Sequence, residues 1–437
     1  MIREFRLVKP PTRTMSNFCE YAGGRRVRVL FVAEAITLSQ VVRLSALAAR
    51  LDPSRYAVTF ACGPFDDVAF RGSSLERLPL FTIDQQRALK KIERGERLYT
   101  TSVLERYVAE ELALFEKVRP DFVVGDFRLS LAVSARRFGV PFATLINGYF
   151  SPFAVRDAFP VPDHPIVSLL GHKRAAEYWP KALPLAFAHF VAPLDELRAH
   201  HGMRRTGGLL EALVDADYTL YPDVPELCPT AKLPPNHRYL GPILWSAPAD
   251  LPLIPPGLAG DKPLVYVTVG SSGRGAALTA FLRVIGEFPV TAVVATGGRF
   301  EIEKPPPNVV VVRFAPGAEL ARRASFVVTN GGASTSYQAL AEGKPVLGLP
   351  SNLDQYLAMT AIERAHAGRL VRSGEATPTA LRRALVELLE SERLREGARA
   401  VARDFARWDC HARFEGLLQE VFPELRKESR HESALLA

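Results

Sequence analysis

One pattern constrains the fold of this chain more than any other. Short apolar runs rich in β-branched residues alternate with amphipathic helical segments, and the alternation occurs twice along the 437 residues. Residues 26–34 and 56–62 are such runs in the first half, and residues 264–271 and 309–314 are such runs in the second. Continuous apolar runs are typical of strands buried on both faces, and strand–helix alternation joins such strands in parallel. The sequence therefore predicts an α/β protein with two doubly wound, Rossmann-like domains.

A proline-rich segment, residues 246–263, separates the two alternating regions and has the composition of a linker. We therefore predict an N-terminal domain over residues 26–245 and a C-terminal domain over residues 264–410. Residues 1–25 are predicted to form a disordered basic extension, and residues 411–437 a terminal helix and tail. Ligands of doubly wound sheets bind at the carboxyl ends of the strands, so the cleft between two facing domains is the expected site.

The composition narrows the possible functions. The chain has 55 Lys+Arg and 47 Asp+Glu, and this small basic surplus is spread along the sequence rather than interleaved with aromatic residues. Nucleic-acid binding is therefore not expected. The four cysteines form no CxxC pair, which fits a reducing, cytoplasmic location and excludes a disulfide scaffold. No stretch reaches the ~20 apolar residues that span a bilayer, so at most peripheral membrane contact is expected.

A turn without bulky side chains follows the predicted strand that ends at residue 329. It consists of Asn330, Gly331 and Gly332, and small hydroxyl residues, including Thr335 and Ser336, open the next helix. Glycines let backbone N–H groups approach a ligand closely, and a helix start offers free N–H donors with partial positive charge. The pattern indicates a diphosphate site. An ordinary strand-to-helix turn with a Ser/Thr cap is the alternative.

Three further strand ends carry polar or aromatic residues. Phe314 ends a strand of four valines, where its ring can stack on a nucleobase or belong to the core. Asp354 and Gln355 lie at the turn after the next strand, where they can grip vicinal sugar hydroxyls or cap a helix. Small residues that can donate to phosphate, or form a plain turn, follow the first strand of this half: Gly270, Ser271 and Ser272.

Taken together and in this order, the four stretches resemble the nucleotide-sugar glycosyltransferases of the GT-B fold. The likeness is to family 1, the UDP-glycosyltransferase superfamily, in its bacterial natural-product type. It covers about residues 260–375, and residues 26–147 more loosely. The resemblance implies two Rossmann-like domains that face each other across a cleft, with the nucleotide sugar in the C-terminal domain and the acceptor in the N-terminal domain.

The resemblance also implies the reaction, an inverting transfer of a hexosyl group from a UDP- or TDP-sugar. This donor is a co-substrate, and neither a cofactor nor a metal ion is expected. Asp215-Ala216-Asp217 matches the DxD pattern of metal-dependent glycosyltransferases of another fold, but we interpret it as charge at the start of a strand. The leaving diphosphate is then stabilised by the helix dipole and backbone donors.

Donor-binding roles carry over from the family residue by residue. Gly331 and Gly332 correspond to the glycines that hold the diphosphate, where Asn330 replaces the usual His. Thr335 or Ser336 corresponds to the phosphate-contacting hydroxyl.

Other positions correspond to contacts with the nucleoside and the sugar. Phe314 stands where the family stacks an aromatic ring on the base, and Gln338 replaces the Glu that grips the ribose. Asp354 and Gln355 match the Asp-Gln pair that holds the donor sugar.

The catalytic base departs from the family pattern. Gln40 stands where the family has a His that deprotonates the acceptor, and an amide takes no proton at neutral pH. Asp126 matches the supporting carboxylate. Three readings stay open: Asp126 is the base, directly or through water; the acceptor is acidic enough to need none; or catalysis is lost. Five histidines in the predicted acceptor region are further candidates: His164, His172, His189, His200 and His201.

The acceptor site is assigned to residues near the first strand ends: Ser39, Arg43, Asn147 and Tyr149. Residues 150–210 are predicted as an irregular insertion with helical stretches near residues 183–200. The prolines and aromatic residues of segment 149–190 suggest a small apolar or aromatic acceptor. Two alternatives remain. One is a catalytically lapsed homologue that binds or activates a partner. The other is a lipid glycosyltransferase at a membrane surface, where the basic extension would bind anionic lipid.

Overall fold

The computed structural model describes residues 25–425 except Ser73 and six short segments: 164–166, 168–169, 256–257, 259, 269–274 and 299–300. The predicted disordered extension, apart from Arg25, and the end of the predicted tail lie outside the described residues. So do three predicted donor-site residues, Gly270, Ser271 and Ser272.

A parallel seven-stranded sheet organises the first half of the chain. Its order is β3-β2-β1-β4-β5-β6-β7, so the strand order reverses between β1 and β4. The run VRVLFVA of β1 is almost entirely buried, as expected for a strand that helices cover on both faces. The strands are β1 Val27–Ala33, β2 Tyr56–Cys62, β3 Glu76–Pro79, β4 Phe122–Asp126, β5 Phe142–Leu145, β6 Tyr218–Tyr221 and β7 His237–Tyr239.

The helices of the first half are α1 Leu38–Ala48, α2 Gln85–Arg94, α3 Thr101–Val118, α4 Leu131–Phe138, α5 His172–His200 and α6 Leu209–Leu213. The sequence did not predict β3 and α2. Helical stretches were predicted near residues 183–200, but the irregular character of the insertion was wrong, because α5 is a continuous helix of 29 residues that includes three prolines. Proline disfavours a helix interior, but Phe187, Val191 and Leu194 are buried. Tertiary packing of this kind supplies most of the stability of protein helices.

A parallel six-stranded sheet organises the second half, in the order β10-β9-β8-β11-β12-β13. Its strands are β8 Leu264–Thr268, β9 Thr291–Ala295, β10 Val309–Val312, β11 Phe326–Thr329, β12 Val346–Gly348 and β13 Gly368–Leu370. Its helices are α7 Gly275–Ile285, α8 Gly317–Arg323, α9 Ala333–Ala341, α10 Leu353–Arg364 and α11 Pro378–Glu390. The order reverses between β8 and β11, and ligands of such sheets bind beside this reversal.

The last two helices, α12 Glu392–Ala406 and α13 Cys410–Val421, connect the halves. Phe405 of α12 packs on Tyr337 of α9, with ring centroids 5.2 Å apart. Phe414 of α13 packs on Phe31 of β1, with ring centroids 5.8 Å apart. The end of the chain therefore returns to the first sheet and ties the two halves together.

Gly397 gives a test of how closely α12 approaches its neighbours. A Cβ atom at this position would lie 2.2 Å from the backbone oxygen of His366. Replacing glycine by alanine in an open helix raises stability by about 1 kcal/mol, but overpacking costs about 1–3 kcal/mol. We therefore expect Gly397→Ala to lower the free energy of unfolding in urea. Gly416 in α13 has open space around it, so Gly416→Ala should raise that free energy, and equal effects of the two would contradict the packing.

Candidate active site

A single cavity of about 1240 Å³ receives residues from both halves of the chain. Gln40, Arg43 and Asp126 line it from the first half, and Gly332 and Asp354 line it from the second. Asp126 ends β4 and Asn330 follows β11, so each residue lies beside the order reversal of its own sheet. The strand ends that were picked out in the sequence therefore face one another across a shared space.

The turn after β11 depends on Gly331. Its φ of +84° is in the left-handed region, and a Cβ atom there would lie 2.7 Å from Met359 Cγ. The Gly331 N–H donates to Thr329 Oγ1 at 2.8 Å, which closes the turn. Gly331 does not line the cavity; it shapes the turn that places Gly332 there.

The start of α9 is open toward the cavity. Gly332 is its N-cap residue, and no side chain caps this end. Ser334 and Thr335 line the cavity. Within the described part of the chain, the buried Ser334 Oγ has no hydrogen-bond partner. Ser336, the other predicted phosphate contact, is buried with its Oγ 3.2 Å from Thr329 Oγ1 and does not line the cavity. Sequence reasoning did not single out Ser334 from these neighbours, because spacing alone does not say which hydroxyl faces a ligand.

Asn330, which stands in place of the family's His, acts within the turn. Its Oδ1 accepts a hydrogen bond from the Gly332 N–H at 3.1 Å. It also lines the cavity. The amide can therefore hold the Gly332 peptide in place from the cavity side.

The predicted nucleoside end lies in the same cavity. Phe314 and Gln338 both line it, beside Gly317. A Cβ atom at Gly317 would lie 2.6 Å from Gln338 Oε1, so the glycine makes room for this amide. The Arg313 guanidinium carbon lies 5.3 Å from the centroid of the Phe314 ring.

Asp354 lies at the border between the two halves. Its Oδ1 accepts a hydrogen bond from the hydroxyl of Tyr149 at 2.8 Å. Asn352, not Asp354, caps α10, since its side chain accepts from the Gln355 N–H. The carboxylate is exposed to the cavity, yet the surrounding protein atoms partly exclude water, and this desolvation raises its pKa.

Gln355 is placed differently from its neighbour. Its side chain is buried and does not line the cavity. Its Oε1 accepts from the Ser351 N–H at 2.9 Å. In this structure Gln355 therefore fastens the turn before α10.

Asp126 forms a buried ion pair with Arg43. One carboxylate oxygen accepts from Arg43 Nε at 3.0 Å and the other from Nη2 at 2.9 Å. Arg43 Nη1 donates to Asn147 Oδ1 at 2.6 Å, which fixes the guanidinium from its other side. Burial raises the pKa of Asp126 to about 7, and the positive charge of Arg43 limits the rise. A buried carboxyl group with a raised pKa is a candidate general base.

Gln40 serves the start of α1. Its Oε1 accepts from the backbone N–H groups of Ile36 and Thr37 at 3.1 and 2.9 Å. Gln40 and the neighbouring Ser39 both line the cavity. The amide therefore caps the start of α1.

Four of the five candidate histidines do not line this cavity. The fifth, His164, lies outside the described residues. Aromatic side chains of α5 form part of the cavity wall instead: Tyr178, Trp179, Phe187 and Phe190. The sequence predicted that this region binds the acceptor. It did not predict that the four rings line one wall of the cavity, because this depends on the helical structure of α5.

Neither a metal site nor a membrane span is found in the described residues. No group of three or more His, Cys, Asp or Glu side chains there is arranged to hold a metal ion. Asp215 of the DxD match pairs with Arg136 at 2.7 Å, and it does not line the cavity. In the same residues, every helix is too short or too polar to cross a bilayer.

Comparison with known proteins shows which family this chain resembles. Residues 279–414 match the family described as "Erythromycin biosynthesis protein CIII-like, C-terminal domain". A "PGL/p-HBAD biosynthesis glycosyltransferase" of Mycobacterium tuberculosis is 42% identical over 395 residues, which cover 90% of this chain and 92% of that protein. A "PGL/p-HBAD biosynthesis rhamnosyltransferase" of Mycobacterium bovis is 41% identical over 88% of this chain and 85% of its own. An "Inactive PGL/p-HBAD biosynthesis glycosyltransferase" of Mycobacterium bovis is 43% identical over 63% of this chain and 76% of its own.

Solved structures of low sequence identity share the fold. "Spinosyn Rhamnosyltransferase SpnG" superposes with a TM-score of 0.66 at 18% identity, covering 90% of this chain and 100% of that one. "Glycosyltransferase VinC in complex with DTDP" gives a TM-score of 0.64 at 20% identity, covering 90% and 99%. Both match the arrangement of two parallel sheets that the sequence predicted. Because the mycobacterial relatives are similar over nearly the whole chain, the protein belongs to the family 1-like glycosyltransferases of the GT-B fold.

Proposed function

We propose that this glycosyltransferase transfers a hexosyl group from a UDP- or TDP-sugar to a hydroxyl of a small apolar or aromatic acceptor, with inversion at the anomeric carbon. One observation carries the proposal: the uncapped start of α9 and Asp126 line the same cavity from opposite halves of the chain. Anions bind at free helix starts, and a carboxyl group with a pKa of about 7 is suited to act as a base.

The donor would bind with its diphosphate at the start of α9. The first-turn N–H groups, Ser334 Oγ and Thr335 supply hydrogen-bond donors there. Phe314 and Gln338 would contact the nucleoside, and Asp354 the sugar. When the bond between the anomeric carbon and the diphosphate breaks, its electron pair passes to the diphosphate oxygen. The helix start stabilises this charge without a metal ion.

The acceptor would bind on the side of Asp126. Its hydroxyl oxygen attacks the anomeric carbon in line with the departing diphosphate, and its proton passes to Asp126. Arg43 holds both carboxylate oxygens in fixed positions, so the base keeps one orientation. The aromatic wall of α5 favours an acceptor with an apolar or aromatic body, because burying such surface contributes about 25 cal/mol per Å².

The proposal is tested by titration and turnover with the purified full-length protein. Calorimetry with UDP and TDP measures donor binding, and product formation from UDP-glucose or TDP-rhamnose with 2-naphthol or 4-nitrophenol measures transfer. Micromolar binding together with transfer would support the proposal. Binding without transfer to any acceptor would favour a lapsed homologue, a reading that the helix-capping role of Gln40 keeps open. No binding of either nucleotide would refute the donor site.

A second candidate, a lipid acceptor at a membrane surface, is favoured by the outer face of α5. Arg174, Lys181 and Leu185 follow one another at helical spacing on this face, and all three are exposed. Leu185 is 75% exposed, although large apolar side chains are usually buried. Cationic and apolar side chains on one exposed helix face are typical of interfacial helices.

Vesicle flotation tests this second candidate. If α5 docks on lipid, the protein should float with vesicles containing anionic phosphatidylglycerol, and a Lys181→Glu, Leu185→Ser variant should not, because it loses a charge and an apolar contact. Leu253→Ser is a matched control, since Leu253 is 94% exposed outside this face. Flotation of all three proteins, or of none, would contradict docking through α5.

A further inference from the structure

Asp223 is a buried carboxylate between the two halves of the chain. It follows β6 by two residues, is completely buried and does not line the cavity. The Gly148 N–H donates to its Oδ2 at 2.6 Å, and Asn147 Nδ2 donates to its Oδ1 at 3.0 Å. The hydroxyl of Tyr337, from α9 in the other half, donates to the same Oδ1 at 2.5 Å.

Three N–H and O–H donors, with Cys228 Sγ as a weaker fourth at 3.8 Å, make this buried carboxylate a strong junction. Hydrogen bonds to a charged group are stronger than those between neutral groups. Two of the donors belong to the loop after β5, which also carries Tyr149, and the third belongs to the helix whose start is the proposed diphosphate site. Asp223 therefore holds the acceptor side and the donor side of the cavity to each other.

The junction continues on both sides toward the reacting groups. Tyr337 lies one helical turn after Ala333, the first residue of α9, so it moves with the start of that helix. Asn147 accepts from Arg43, which in turn holds both oxygens of Asp126. An unbroken chain of hydrogen bonds thus joins the donor helix to the proposed base through five side chains: Tyr337, Asp223, Asn147, Arg43 and Asp126.

We propose that Asp223 is a positioning residue that couples nucleotide binding at α9 to the alignment of Asp126. The inference rests on the proposed function, because it needs a donor at the start of α9. Asp223 does not line the cavity and acts only through the residues that it contacts, Asn147 and Tyr337. It keeps the base and the leaving group aligned with each other. A misplacement of a reacting group by ~1 Å can lower the rate about 100-fold.

Hydrogen exchange measured by mass spectrometry tests this coupling without a known acceptor. In the wild-type protein, saturating UDP or TDP should slow exchange in residues 331–340 and also in residues 145–151. In Asp223→Asn and in Tyr337→Phe, the nucleotide should still protect residues 331–340 but no longer residues 145–151. Tyr337→Phe removes a single hydroxyl and keeps the ring packing on Phe405, so it remains informative if Asp223→Asn folds poorly.

A second readout separates positioning from general stability. Both variants should keep the wild-type Kd for UDP or TDP and lose about 10–100-fold in kcat with any acceptor that the wild type uses. The double variant should lose no more than the worse single variant, because both changes break one junction. Asp217→Asn is the control: Asp217 Oδ2 accepts from the Phe142 N–H at 2.9 Å, and it does not line the cavity. It should change neither exchange coupling nor kcat.

The outcomes are distinct. Protection of residues 145–151 that survives in both variants, or that never occurs in the wild type, overturns the role of Asp223 while leaving the donor site intact. Failure of UDP and TDP to bind the wild type refutes the proposed function, and this inference falls with it. Equal losses of kcat in Asp217→Asn and Asp223→Asn would show a structural role only.

Discussion

Replacing Asp126 by Asn is expected to lower kcat for sugar transfer to an alcohol acceptor by about 10²–10⁴-fold, the usual contribution of a general base. The amide takes no proton, but it has nearly the same shape and can still accept a hydrogen bond from Arg43. The Kd for UDP or TDP should stay unchanged, because Asp126 lies on the acceptor side of the cavity. Initial rates and calorimetry on the same preparations measure both quantities.

Acceptors of different acidity distinguish between the interpretations of the catalytic base. If Asp126 is the base, the loss should be large for an aliphatic alcohol and much smaller for 4-nitrophenol, which ionises without help. Equal losses with both acceptors would contradict a role in proton transfer. Asp126→Asn also leaves the buried charge of Arg43 poorly paired, which is destabilising. The thermal midpoints of Asp126→Asn and Asp217→Asn must therefore both be measured and compared with the assay temperature.

The pH dependence of kcat/KM in the wild-type protein should show the titration of Asp126. Because burial raises the pKa of Asp126 to about 7, the carboxylate form that accepts a proton predominates only above this pH. We therefore expect kcat/KM to rise as the pH increases through about 7 and to fall about tenfold per unit below it. The rise should be absent in Asp126→Asn. A wild-type profile that is flat between pH 5 and pH 8 would exclude Asp126 as the base.

Replacing Gly332 by Trp is expected to weaken UDP and TDP binding by about 100-fold or more. Losing two hydrogen bonds to a charged phosphate, at about 1.5 kcal/mol each or more, corresponds to such a factor. The indole ring would occupy the space in front of α9. The backbone tolerates a side chain here, since the φ of Gly332 is −67° and a Cβ atom would lie 3.3 Å from its nearest neighbour, Asn330 Oδ1. Calorimetric titration measures the loss.

Two variants calibrate this result. Gly332→Ala adds one methyl group and should weaken binding only a few-fold. Gly260→Trp adds the same indole at an exposed glycine with nothing within 4 Å of its Cβ position, and binding should be unaffected. Wild-type affinity in a folded Gly332→Trp protein would mean that the nucleotide does not bind at α9.

The amino-acid sequence determined the architecture, because the signals it needs are local. Buried parallel strands such as β1 and β11 must be continuous apolar runs, and a helix must follow each, so alternation along the chain predicts two doubly wound sheets. The small residues around Gly331 likewise predicted the turn after β11, because its backbone conformation excludes bulky side chains. The strand order of each sheet then places such turns at one edge.

Only the tertiary structure decided which way the side chains of those turns face. Thr335 and Ser336 are adjacent and chemically similar, yet one lines the cavity and the other is buried, because consecutive helical residues point about 100° apart. Asp223 carried no local signal at all: its partners Gly148 and Tyr337 are 75 and 114 residues away in the chain. Long-range packing brings them together, and it also keeps α5 helical through prolines that disfavour a helix interior.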